Sequence, residues 1–208
     1  MEAGPRLRGL LHLLTAPIAG LGGITLSVLA DTTAERLGLI VFTTTSVLLF
    51  AVSAAYHRGS WSPRVEQRLR RLDHSNIFLI IAGTYTPLTI ALLNSTSARN
   101  LLMAIWTAAL LGVVTHNVWP TAPRFVSAGL YVLMGWLAVF YLQDFRSAGW
   151  TILGLLIAGG VLYTIGAVIY ATERPRLSVT WFGYHELFHA FTVLAFASHF
   201  AAIAISTS

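Results

Sequence analysis

Apolar stretches recur along the chain at roughly residues 10–30, 36–57, 74–94, 99–119, 125–143, 149–171 and 183–205. Each is close to the ~20 residues a helix needs to cross a hydrocarbon core about 30 Å thick. The pattern predicts an all-α fold, a seven-transmembrane helix bundle. Seven spans within 208 residues leave no room for a soluble domain, so 1–208 reads as a single seven-helix membrane domain. Breakers separate the runs, among them Ser60, Ser62 and Pro63 after the second and Pro120 and Pro123 after the fourth. Basic residues precede the first run, as in a signal peptide, but no convincing cleavage site follows, so it reads as a retained helix.

Composition agrees. The chain is 56% hydrophobic and only 10% charged, which excludes an ordinary soluble domain. The net charge of +5 does not point to nucleic acid, because most of the chain faces no solvent. Arginine supplies every positive charge, and its distribution sets an orientation. With the N-terminus cytoplasmic, Arg6, Arg8, Arg58, Arg64, Arg68, Arg70, Arg71, Arg124, Arg174 and Arg176 lie inside. Only Arg36, Arg99 and Arg146 lie outside. The C-terminus then falls outside, the reverse of rhodopsin-type receptors. The expected location is the cell membrane, crossed many times.

There is no cysteine, so disulfides are excluded and a transition-metal site must use histidine and carboxylate. A charged side chain at the bilayer centre costs about 2.5–3.5 kcal/mol, so each polar group in a span needs a partner or a purpose. Ser53 and His57 end the second run, Asp73 and His74 open the third, and His185, Glu186 and His189 open the seventh. Under the assigned orientation all of them converge on the inner membrane face. His185 and His189 are four apart, on one side of a helix, and His57 can complete three nitrogen ligands from two helices. That set leaves a fourth tetrahedral position open.

A His-x-x-x-His pair arises by chance about a quarter of a time in such a chain, so convergence rather than spacing carries the argument. The run His185-Glu186-Leu187-Phe188-His189 also matches HExxH, expected by chance about 0.006 times, in which the glutamate serves as general base. The usual third zincin ligand is missing, however. His199 lies ten residues past His189, about 15 Å along a helix. His12, His74, His116 and His199 read as interfacial or packed histidines. The six tryptophans mostly suit an interfacial belt. Gly159, Gly160 and Gly166 suit close helix packing, and Pro87 a kink eased by Thr84 and Thr86. The basic loop 58–71 fits a topology determinant lying against anionic lipid.

Together these residues resemble the hemolysin III family, the bacterial branch of the progestin and adipoQ receptor (PAQR) superfamily, related to the alkaline ceramidases. The carriers are Ser53-Ala-Ala-Tyr-His57, Leu72-Asp73-His74-Ser75-Asn76-Ile77, Ala82-Gly83-Thr84-Tyr85-Thr86-Pro87, His185-Glu-Leu-Phe-His189 and His199-Phe200. The resemblance implies zinc (Zn2+) held by His57, His185 and His189, with Ser53 and Asp73 as companions.

Three functions are in play. The first is a zinc-dependent, ceramidase-like hydrolase of a lipid amide or ester near the inner leaflet. Asp73 would act as base there and Ser53 as donor to the oxyanion, with Glu186 a weaker alternative base. The expected partners are membrane lipids and a lipid-like substrate or ligand. The second is a non-catalytic receptor or sensor, stabilised by zinc and involved in membrane homeostasis. The third is a hemolysin-type pore, ranked last because the outer helix halves offer too few polar residues for a wet path.

Overall fold

A computed structural model describes residues 7–175 and 180–207. Arg6 and Arg176, counted above in the inner set, lie outside them. All seven apolar runs are helices long enough to span a bilayer. They comprise α1 (Leu10–Leu29), α2 (Thr33–Arg58), α3 (Pro63–Leu92), α4 (Ser95–Val118), a composite fifth span (Arg124–Ser147), α7 (Trp150–Thr172) and α8 (Tyr184–Ser206). The fifth span is made of α5 (Arg124–Gly135), a 3-10 segment (Trp136–Tyr141) and α6 (Leu142–Ser147).

Two spans differ from expectation. The third helix begins at Pro63 rather than near residue 74, so most of the stretch expected as a basic loop is helical. Proline at the first helical turn loses no hydrogen bond, and the arginines, leucines and Glu66 that follow are good helix formers. Hydropathy registers only the membrane portion. The fifth span is broken at Gly135 into a tighter turn, which an apolar run such as Trp136–Tyr141 cannot announce. The break is held by Tyr85 of α3. Its hydroxyl donates to the Gly135 carbonyl at 2.7 Å and accepts from the Ala138 N–H at 2.8 Å. Backbone freed at this depth must find such a partner, because lipid offers none.

The burial pattern is that of a membrane bundle. Leu21, Val28, Val118 and Phe140 face outward, whereas Ser46, Ser53, Ser75, Asn76 and Thr89 are inside. The central helix is α3, packed against α2, α4, α5 and α8. It approaches α2 closely at Gly83, where a Cβ would collide with the Thr45 side chain. The Asn76 amide then donates to the Leu48 carbonyl of α2 at 3.1 Å. These contacts fix the height of α3 against α2, and so the position of Asp73 relative to His57.

Trp106 and Trp136 depart from the belt pattern. Each points its indole N–H at a threonine of a neighbouring helix, Thr86 at 3.1 Å and Thr164 at 3.0 Å.

Candidate metal centre

His57 sits on the last turn of α2, and His185 and His189 sit on the first two turns of α8. The three rings converge. His185 Nε2 lies 3.0 Å from His57 Nε2, and one nitrogen from each of the three lies within 4.8 Å of the others. Tetrahedral coordination with metal–nitrogen bonds of about 2.0–2.1 Å separates ligand nitrogens by roughly 3.3 Å. The trio therefore fits a divalent ion in the spacing and the chemistry of its donors, and could hold one.

Sequence-local chemistry sets the elements that carry them. The start of α8 is fixed by Glu186, whose Oε2 accepts from the Gly183 N–H at 2.8 Å. Its Oε1 lies 4.0 Å from Arg8 Nε. One carboxylate oxygen is thus engaged at the helix start and the other faces the N-terminal segment, which argues against Glu186 as the alternative base. The end of α2 is pressed against α1 at Gly9. That residue has a positive φ of 71°, and a Cβ there would stand 2.9 Å from His57 Cβ.

Asp73 is embedded about a third of the way along α3 rather than at its start, so its backbone is held on both sides. Its Oδ2 stands 3.7 Å from His57 Nε2 and 3.9 Å from His74 Nδ1. Ser53, one turn before His57, is buried with its hydroxyl toward the Asp73 carboxylate. Ser53, Asp73, His185 and His189 line one small cavity of about 20 Å³, together with His12, His74 and Tyr170.

That cavity is not isolated. Leu49, Ile77, Phe188 and Thr192 form part of its wall and also line an apolar cleft of about 80 Å³ between α3, α5, α7 and α8. A further apolar space of about 60 Å³ shares Thr84, Tyr85, Trp136 and Gly160 with the cleft and continues along the broken fifth span. The rim includes exposed Trp136, Val139 and Ile157, so the groove opens on the apolar exterior of the bundle.

The remaining histidines divide. His74 is satisfied structurally, by the Arg70 carbonyl at 2.8 Å and the Tyr170 hydroxyl at 3.0 Å, and His116 stacks on it. His199 bonds the Leu156 carbonyl at 3.2 Å, far from the trio. His12 is packed, as expected, but its neighbour is His189 of the trio. Its only sequence signal is a position near the inner end of the first span.

Comparison with known proteins gives a consistent picture. A family model described as "Haemolysin-III related" matches residues 3–200. Hemolysin-3 of Bacillus cereus is 32% identical over 159 residues, covering 74% of this chain and 67% of the relative. The Hemolysin-3 homolog of Bacillus subtilis is 29% identical over 156 residues, 74% and 70% of the two chains. The human monocyte to macrophage differentiation factor is 24% identical over 198 residues, 92% and 79%.

Proposed function

Since the chain belongs to the hemolysin III family of multi-pass membrane proteins, we propose that it is a zinc-dependent hydrolase of a lipid amide or ester. The observation that carries this reading is the wall shared by the histidine cavity and the apolar groove. A long acyl chain lying in the groove brings its carbonyl end to the imidazoles, which is the positional requirement for acting on a lipid.

His57, His185 and His189 would hold the ion, which when bound supplies Lewis acidity, polarising a carbonyl and acidifying water. Hydrolysis forms one carbon–oxygen bond from water to the carbonyl, breaks the carbon–nitrogen or ester bond, and moves one proton to the leaving group. Asp73 is placed to accept that proton at Oδ2 and return it to the leaving amine or alcohol. Ser53, buried beside Asp73, would donate to the oxygen on which negative charge develops. The apolar walls formed by Leu49, Ile77 and Phe188 limit water around these groups.

Metal analysis and turnover on purified protein test the proposal together. Wild type is expected to retain close to one zinc per chain, and His185→Ala to lose it. Asp73→Asn is expected to keep the metal while turnover of a lipid amide or ester falls at least 100-fold, at the low end for a general base. Undiminished turnover in Asp73→Asn removes Asp73 from the role. A zinc-loaded wild type that hydrolyses no lipid amide or ester favours the receptor reading, which the bridging of α2 and α8 by imidazoles also supports.

A further inference from the structure

His12 is 2% exposed, yet among the described residues neither of its ring nitrogens meets a hydrogen-bond partner. Its ring lies face to face on His189, with centroids 3.8 Å apart and planes 16° from parallel. Phe50 stands edge-on behind it, at 5.1 Å and 71°. Outside the trio, the rings touching His189 are His12 and Phe188, and of these only His12 is stacked. Metal-binding imidazoles ordinarily have their orientation set by a hydrogen bond from the outer ring nitrogen; at His189 a stacked ring holds the face as well.

Stacking alone does not account for a histidine at this position. A phenyl ring would cover His189 equally well without burying two polar atoms. A neutral imidazole carries one N–H donor and one lone pair, and buried groups of this kind are nearly always paired. His12 lines the same cavity as Ser53, Asp73 and His185, so a ligand there can provide the partner. Ser53 lines it too, with its hydroxyl toward Asp73, so polar side chains from adjacent helices meet on one cavity.

We propose that His12 is a fourth functional imidazole of this centre: its face orients His189 toward the ion, and its edge binds a carbonyl or hydroxyl oxygen of the ligand. The inference rests on the metal-centre reading above. It extends the site to α1, and it identifies the ligand's polar end as an oxygen group within reach of α1 and α2.

The test uses the full-length chain in detergent, with Co2+ as a visible probe of the ion site and acetohydroxamate as a stand-in for an oxygen ligand beside it. Two variants separate the two parts of the proposal. His12→Leu fills the volume but cannot stack, and His12→Phe stacks but carries no nitrogen. His12→Leu is expected to bind Co2+ about tenfold more weakly and to change its absorption. His12→Phe is expected to keep wild-type Co2+ affinity and absorption while acetohydroxamate binds about tenfold more weakly. Wild-type cobalt behaviour in His12→Leu overturns the orienting role. Undiminished acetohydroxamate binding in His12→Phe, or none in wild type, overturns the ligand contact. Failure of wild type to bind Co2+ would instead overturn the metal centre, and this inference with it.

Discussion

Glu186 shows how much one residue's surroundings decide. Its sequence neighbours spell the zincin pattern, but its carboxylate caps α8 through Gly183 and faces Arg8. Glutamine at this third helical position can still accept the Gly183 N–H. Glu186→Gln is therefore expected to retain turnover, and to cost at most about 1 kcal/mol in thermal unfolding, because Arg8 is partly exposed and the pair is loose. A loss of turnover as large as that expected for Asp73→Asn would return Glu186 to the chemistry. Residues whose partners recur at helical spacing, such as His185 and His189, were legible from the chain. So was the convergence of Ser53, His57 and Asp73, through the alternation of span directions. His12 was not, because its partner lies on another helix at a distance no one-dimensional spacing encodes.

At the scale of elements, hydropathy located every span but described two of them incompletely. It measures transfer into lipid, so it was blind to the polar extension of α3 beyond the bilayer and to the internal break of the fifth span. The extension matters for the site, since it turns Asp73 from a fraying helix start into a fixed interior position. The break depends on Tyr85, whose hydroxyl serves two backbone groups at once. Removing a buried partner leaves those groups unsatisfied, at about 1–3 kcal/mol. Tyr85→Phe is expected to lower stability by that amount, measured by thermal unfolding in detergent, with zinc content unchanged. No loss of stability would show that the break holds itself.

For the molecule as a whole, α2 and α8 are spaced by rings. Phe42 and Phe50 meet Phe196 along part of their length, and the three imidazoles fill the interval at the other end. That interval leaves room for the cavity, while the groove beyond it runs toward the broken span. Gly160 borders the groove, and a Cβ there would meet nothing nearer than Trp136 at 3.7 Å. Gly160→Phe is thus expected to fold and to bind metal as wild type does, while filling the space an acyl chain would use. Turnover of long-chain substrates is expected to fall at least tenfold, with short-chain analogues little affected. An equal effect on both would dissociate the groove from substrate binding.

The groove's rim of exposed apolar side chains also bears on kinetics. Under the proposed hydrolase reading, a reactant arriving sideways from the hydrocarbon never dissolves in water, so its effective concentration is its mole fraction in the two-dimensional film around the protein. Adding inert detergent at fixed total lipid should slow the reaction in proportion to that fraction, as surface dilution. A rate indifferent to such dilution would mean that the reactant comes from the aqueous side.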